Sequence, residues 1–425
     1  MILTMMGRVK AVVLFLTLAA SATAFSPSHR PLLGRIGTTR SDATVLSKII
    51  EQASLATRLQ VSSVPIHEDI QRNPLTRVKN AAKSFANSMK TNEVSQWRAV
   101  FATFFASSFI FRGAIDSKLA ELWTFLLTSH SIWGRMFRSD HYEWMLAVGA
   151  FGIWIHGFWF ADRAVRKASE QGRVHPWRKF RLQDRFEADK NRRMLERRSG
   201  LGLEVATHET ELPPVTKQSA WNNWGWLVEL PVYCAPLFLW DVLDPRRHRR
   251  LPLFGAPTTM GIFGGIAGGL FLYDLLFFCG HVAMHRIPFL YRTVHTKHHK
   301  TQEVRAAEIV RLGLVEEVLE VGFSIVALNV LGVHPLVRSI YNCVITFLLT
   351  ELHSGFDFPW TPQNVVPFGL MTGSRRHHFH HRNGKHYYQK FFFHVDRLFG
   401  FFQKNDGTLN GDSVQANSYI PATWK

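Results

Sequence analysis

At 425 residues the chain has room for two or three soluble domains, or for one multi-span membrane domain with appendages. Apolar residues make up 46% of it, with 34 Phe and 13 Trp; the mean hydropathy is near zero, so their placement matters, and they cluster in runs of about 17 to 21, which suits a bilayer. A net charge of +18 would suit nucleic acid on its own; beside bilayer-length apolar runs it indicates basic loops at a membrane, and no nucleic-acid partner is expected. Cys234, Cys279 and Cys343 all lie inside apolar runs, which argues against a disulfide framework and against a Cys-ligated metal.

In chain order, residues 1–24 join a basic stretch around Arg8 and Lys10 to an apolar core over 11–19. Small residues follow at Ala22 and Ala24, the pattern of a signal peptide cleaved near Ala24. Residues 25–40 carry Ser, Thr and Arg without an acid, which is transit-peptide composition. The junction Ala22-Thr23-Ala24-Phe25-Ser26-Pro27 resembles the bipartite plastid presequence of algae with secondary plastids, in which a phenylalanine follows the cleavage site. That resemblance implies a plastid membrane; an ordinary signal peptide or anchor would leave the protein in the endoplasmic reticulum membrane. Residues 41–95 read as a linker followed by a surface helix.

Apolar runs predict spans over 97–115, 142–160, 224–243 and 260–280, then a hairpin pair over 314–333 and 336–352. Tryptophans at several ends (Trp97, Trp144, Trp224) suit an interfacial aromatic belt. The stretch 119–133, interrupted by Glu121 and His130, is expected to lie at the interface. Residues 163–198 read as a basic loop on the cytosolic or stromal side. If the third span crosses, Arg246, Arg247, Arg249 and Arg250 fall on the opposite face, against the positive-inside tendency. Between Gly261 and Gly269 the glycines sit in an apolar 20-mer with no preceding strand and no Lys-Ser/Thr. Close helix packing through small-xxx-small spacing is therefore expected, not a nucleotide loop.

Nine of the 21 histidines fall in the short stretches 281–299 and 377–381, far more than an even scatter would place there. His281 and His285 form an H-x3-H, and His295, His298 and His299 an H-x2-H-H. His377, His380 and His381 form a second H-x2-H-H. Residues three and four apart share a helix face, so His281 and His285 can present two imidazoles to one point. His295 with His298 or His299 can do the same on a second helix, after Pro288 ends the first. His377 with His380 or His381 supplies a third face. Eight imidazoles exceed what one ion takes, which makes two metals the natural count. Imidazole suits Zn, Fe, Cu or Ni, and eight His without Cys point away from structural zinc.

This order of clusters after a membrane span resembles the fatty acid hydroxylase/sterol desaturase superfamily. The resemblance covers about residues 273–400. It includes Tyr273-Asp274, Phe289-Leu290-Tyr291-Arg292, His353-Ser354-Gly355-Phe356-Asp357-Phe358-Pro359-Trp360 and Asp396-Arg397-Leu398-Phe399-Gly400. It implies that the eight cluster histidines are di-iron ligands, with His353 a ninth. Where relatives carry a second His four residues later, this chain has Asp357, and where relatives place a His-Pro pair before the final hairpin it has Ala306 to Arg311. Glu316, Glu317 and Glu320 are expected at the interface or the floor of a substrate cavity, and Glu351 as an acceptor behind His353.

The fold expected is all-α: a multi-span transmembrane helical bundle capped by a His-rich di-metal helical domain. Its parts are a signal peptide (1–24), a transit-like segment and linker (25–95) and an N-terminal membrane region with a basic loop (96–256). A His-box domain (257–403) and a C-terminal tail (404–425) follow. The resemblance implies an O2-dependent oxidoreductase holding two iron ions. Its substrate would be a hydrophobic lipid or isoprenoid (sterol, squalene-type or fatty acyl), met among membrane lipids and changed by hydroxylation, desaturation or epoxidation. The sequence carries no strand-borne GxGxxG, no Cys set for an iron–sulfur cluster and no His-Pro-Gly-Gly haem signature. An external electron donor is therefore expected, ferredoxin in a plastid or cytochrome b5 in the reticulum. A plastid carotenoid hydroxylase and a non-catalytic membrane scaffold that retains the fold are the alternatives.

Overall fold

The computed structural model describes residues 92–185, 225–243, 250–300 and 304–402. The signal- and transit-like segments, the second half of the basic loop, Arg246 to Arg249 and the tail lie outside these residues. The described chain is helical, with two isolated β-bridges and no strand. Its main helices are α1 (Glu93–Ile110), α2 (Arg112–Thr128), α3 (Ile132–Arg138), α4 (Tyr142–Glu170), α5 (Trp226–Tyr233) and α6 (Ala235–Leu243). They continue with α7 (Thr259–Arg286), α8 (Leu314–Val330), α9 (Pro335–Leu352), α10 (Gly373–Asn383) and α11 (His394–Phe399).

The boundaries follow local chemistry. Asn92 caps α1 by accepting from the Val94 N–H at 3.0 Å, and the Thr258 hydroxyl caps α7 through the Gly261 N–H at 3.0 Å. His334 caps α9 through the Leu336 N–H at 3.1 Å, with Pro335 in the first turn, where its missing N–H costs nothing. Gly384 closes α10 at φ 66°, a left-handed position that favours glycine.

Among the described residues, three helices are long and apolar enough to cross a membrane: α4, the combined Trp226–Leu243 segment, and α7. Their lipid-facing side chains, among them Ile153, Phe160, Val228 and Phe271, are exposed, as expected of an integral membrane protein. The predicted 97–115 span is corrected. The chain bends by 78° at the break between α1 and α2, and α2 runs on as helix through Thr128, past the expected limit. The pair counts as a fourth span only if the bent helices are taken as one. The 314–352 hairpin forms, but neither arm is among the candidate spans. α9 is the buried centre of the bundle, packed against α4 and α7, and α8 carries Glu316, Glu317 and Glu320 buried within the protein.

The glycines of α7 make that packing possible. A Cβ on Gly265 would stand 2.8 Å from Val337 Cγ1, and one on Gly269 2.8 Å from Tyr341 Cε2, whereas Gly264 has open space. Gly265 and Gly269 are thus the close-approach positions against α9, as the small-residue spacing implied. The first residues of the expected basic loop, 163–170, belong to α4. Arg166 pairs with Asp162 at 3.0 Å, Arg178 with Asp184 at 2.9 Å and Arg185 with Asp357 at 2.9 Å. Arg185 ties the 176–185 segment to the bundle, whereas the Arg178–Asp184 pair lies within that segment and the Arg166–Asp162 pair within α4.

Candidate metal centre

Twenty residues of helix cover about 30 Å. A span that begins at Thr259 therefore reaches the far boundary near Phe278, and His281 and His285 stand on the turns just past it. α7 stops at Arg286, and Pro288 opens a single turn, Pro288–Leu290. A π-turn over Tyr291–His295 and a 3-10 turn over His298–Lys300 follow. The second cluster is therefore not on one regular helix, contrary to the expectation from spacing, and its histidines splay apart. α10 is a regular α-helix. At 100° per residue His380 and His381 flank His377 on either side, so they diverge too.

The result is two adjacent groups: His281, His285, His295, His299 and His380 in one, and His298, His353, His377 and His381 in the other. Within each group the facing nitrogens lie within 4.8 Å of one another. All nine expected histidines are present, and each H-x2-H-H contributes to both groups. His353 comes back to this side because the α8–α9 hairpin returns it. His298, His353, His377 and His381 are buried, while His285 and His299 are half-buried.

Hydrogen bonds assign the tautomers. The Nδ1–H of His281 donates to the Tyr388 carbonyl at 2.7 Å, that of His295 to Glu316 Oε1 at 2.9 Å, and that of His380 to the His386 carbonyl at 2.6 Å. His353 Nδ1–H donates to the Leu349 carbonyl at 2.9 Å. Each of these rings then turns a bare Nε2 lone pair inward. Yet His281 Nε2 lies 3.2 Å from His295 Nε2, which lies 2.9 Å from His285 Nε2. In the second group His377 Nε2 lies 2.9 Å from His353 Nε2 and 3.2 Å from His381 Nε2. The His281–His295 contact sets lone pair against lone pair, so it is no hydrogen bond between neutral rings. Two nitrogens about 2.1 Å from one ion at a right angle stand about 3.0 Å apart, which these separations match. The buried Nε2 atoms of His299 and His380 have no protein partner. The donor set fits a metal.

Burial keeps these rings neutral. It is the leading cause that pushes His295, His299 and His353 down to about 3 and holds His377, His380 and His381 well below the usual imidazole range, the neighbouring imidazoles adding to the effect at the last three.

Several residues without an assigned role in the sequence build this geometry. Asp274 on α7 accepts from the N–H groups of Lys390 and Phe391 at 2.8 and 2.9 Å through Oδ1. Its Oδ2 takes Gln389 Nε2 at 2.8 Å and the Phe392 N–H at 3.1 Å. Asp396 accepts from the N–H groups of Tyr388 and Gln389, both at 2.9 Å. Between them the two aspartates fix residues 388–392, which aims the Tyr388 carbonyl at His281. Glu316 orients His295, a role that its place in an apolar run did not reveal. Glu320, one turn on, pairs with Lys390 and accepts from Tyr273 OH.

Glu351 is not behind His353. It accepts from Gln363 Nε2 at 3.1 Å. Asp357 belongs to neither group and pairs with Arg185. Gly355, at φ 75° with the Val304 carbonyl 2.8 Å from where a Cβ would be, makes the tight turn after His353. His378, the one cluster histidine outside both groups, faces a small cavity lined by Arg181, Val304 and Ser354. His334 caps α9, His386 contributes its carbonyl, and His394 stacks on Phe271.

Residues 266–401 match the fatty acid hydroxylase family model. They hold every one of the nine histidines. The chain carries a domain of the fatty acid hydroxylase/sterol desaturase superfamily. A cholesterol 25-hydroxylase-like protein of Danio rerio is 37% identical over 145 residues, 34% of this chain and 58% of the relative. Human cholesterol 25-hydroxylase is 34% identical over 146 residues, 34% of this chain and 53% of that protein. A very-long-chain aldehyde decarbonylase of Oryza sativa subsp. japonica is 32% identical over 186 residues, 41% of this chain and 63% of its own length. The match thus spans little more than half the length of the first of these relatives. No solved structure matches the chain.

Proposed function

We propose that the chain is a membrane-bound non-haem di-iron oxygenase, acting with O2 and an external electron donor on a hydrophobic lipid or isoprenoid. The observation that carries the reading is the pair of imidazole groups with lone pairs facing one another, in a domain of this superfamily. His281, His285, His295, His299 and His380 would hold one ion and His298, His353, His377 and His381 the other. When bound, iron supplies the one-electron and O2 chemistry that side chains lack.

The chain's own residues hold and shield that chemistry. Glu316 and the Tyr388, His386 and Leu349 carbonyls fix four imidazoles with their lone pairs inward, and a carboxylate partner makes His295 a stronger donor. Phe277, packed 5.0 Å from the His281 ring between centroids, covers the membrane side of the first group. The half-buried His285 and His299 mark the more open approach. The named hydroxylases among the relatives favour hydroxylation of a sterol-like substrate, and the decarbonylase keeps acyl chemistry as the second reading. The address in residues 1–40 favours a plastid membrane with ferredoxin as donor; residence in the endoplasmic reticulum would pair the chain with cytochrome b5.

The test is metal content with activity. Gently purified protein is expected to hold about two metal ions per chain. His285→Ala, His299→Ala and His380→Ala should each abolish nearly all product per unit of membrane-inserted protein, and the triple variant should be scarcely worse, because ligands act as a unit. His334→Ala, His386→Ala and His394→Ala should cost far less. Substantial activity in the His285→Ala/His380→Ala variant refutes the ligand assignment. An inert protein without metal supports a scaffold instead.

A further inference from the structure

A cavity of about 830 Å³ lies between α1, α4, α9 and the 358–360 segment, within the ~300–1,000 Å³ range of small-molecule sites. Trp97, Trp154, Phe158, Trp177, Phe347 and Trp360 are among the aromatic residues of its wall, and none of the nine clustered histidines lines it. Its inner end is closed by a packed cluster in which Phe356 and Ala306 sit behind Phe158 and Phe358. There the Phe356, Phe358 and Trp360 rings stack at 5.1 and 5.4 Å, within 10° of parallel. The cavity is therefore separate from the metal centre.

Its chemistry points to hydrocarbon. The Trp154 Nε1–H is taken up by the Cys343 carbonyl at 3.3 Å, so that ring offers no free donor. The one charged group on the wall, Glu93, is bound by Lys179 at 2.6 Å, and the two side chains are 51% and 31% exposed. This ion pair joins α1 to the 176–180 turn and marks a polar rim. Outside the cavity, Phe104 on α1 and Ile153 on α4 are exposed, on helices that form or belong to candidate spans. The medium at the opening is thus bilayer. Wall atoms facing a void lose their dispersion partners, and the molecule at hand to restore them is an acyl chain.

We propose that this cavity binds one acyl chain of a membrane glycerolipid, with the headgroup at the Glu93–Lys179 rim, as a site apart from the oxidation chemistry. Gly157 lines the cavity, and a Cβ there meets nothing within 4 Å. A larger side chain can therefore plug the cavity from an unstrained helical position.

The experiment uses the full chain in nanodiscs containing a phosphatidylcholine with a diazirine on one acyl chain. Expected are cross-links to peptides holding residues 154–161, 343–347 and 358–360, and about one phospholipid retained per chain by native mass spectrometry. Gly157→Phe should reduce both at least tenfold with metal content unchanged; Gly157→Leu, a smaller plug, serves if the first variant does not fold. Equal cross-linking in the plugged variants means annular lipid only and overturns the proposal. Displacement of the probe by the enzyme's substrate, with a raised KM in Gly157→Leu, also overturns it by making the cavity part of the substrate path. The cross-linking and lipid-retention results do not depend on the oxygenase reading, which the metal content tests separately.

Discussion

Breaking the Lys390–Glu320 pair by a single substitution should damage the protein far more than replacing both residues. Lys390 and Glu320 are 2% and 1% exposed in their side chains. The ammonium lies 4.1 Å from the Phe277 ring centroid, and Glu320 also takes Tyr273 OH at 3.3 Å. Removing one partner from a buried pair leaves an uncompensated charge, which costs about 3–5 kcal/mol, whereas replacing both with apolar groups is often neutral. Lys390→Met would also leave Glu320 facing Glu316 one helical turn away, and Glu316 is the residue that orients His295. At about 2–4 °C per kcal/mol for a domain of this size, Lys390→Met and Glu320→Leu should each lower the thermal midpoint by about 6–20 °C. The Lys390→Met/Glu320→Leu double variant should recover most of that loss, giving a coupling energy of several kcal/mol. The assay is thermal unfolding of purified protein in one detergent, with metal content measured in parallel. Single variants that cost under about 1 kcal/mol, or a double variant as impaired as the two singles added, would refute the reasoning.

Gly269→Ala forces a Cβ against Tyr341 and Leu328 and should cost about 1–3 kcal/mol, while Gly264→Ala, with nothing within 4 Å, should be neutral or slightly stabilising; thermal unfolding compares them. Metal-free protein should lose stability as pH falls. Unfolded histidines titrate near 6.5, whereas the buried His295, His299 and His353 stay neutral to about 3. Between those values the unfolded chain binds more protons, and each ring withdraws roughly 1.4 kcal/mol per pH unit; a denaturation midpoint that is flat from pH 7 to 5 would contradict this. A reporter behind residues 1–40 should enter the plastid, and Phe25→Ala should divert it; a wild-type fusion that remains in the endoplasmic reticulum moves the donor to cytochrome b5.

Spacing made the eight clustered histidines and the glycine stripe of α7 legible, because helix periodicity is local: residues four apart share a face whatever surrounds them; His353 came only from the family resemblance. The apolar runs of α4, the 226–243 segment and α7 were legible for the same reason, since bilayer thickness sets a length that can be counted. Which histidines share a group was not legible. That depends on the π-turn that twists His295 away from His298, on the angle between His380 and His381 around α10, and on the hairpin that brings His353 back. Nor could spacing place Glu316, Glu320 and Lys390. Three carboxylates in an apolar run look like an interface until a lysine 70 residues later along the chain and an imidazole from another turn arrive to satisfy two of them. Whether a buried charge is tolerated depends on its partners, and only the tertiary structure supplies partners from so far away in the chain.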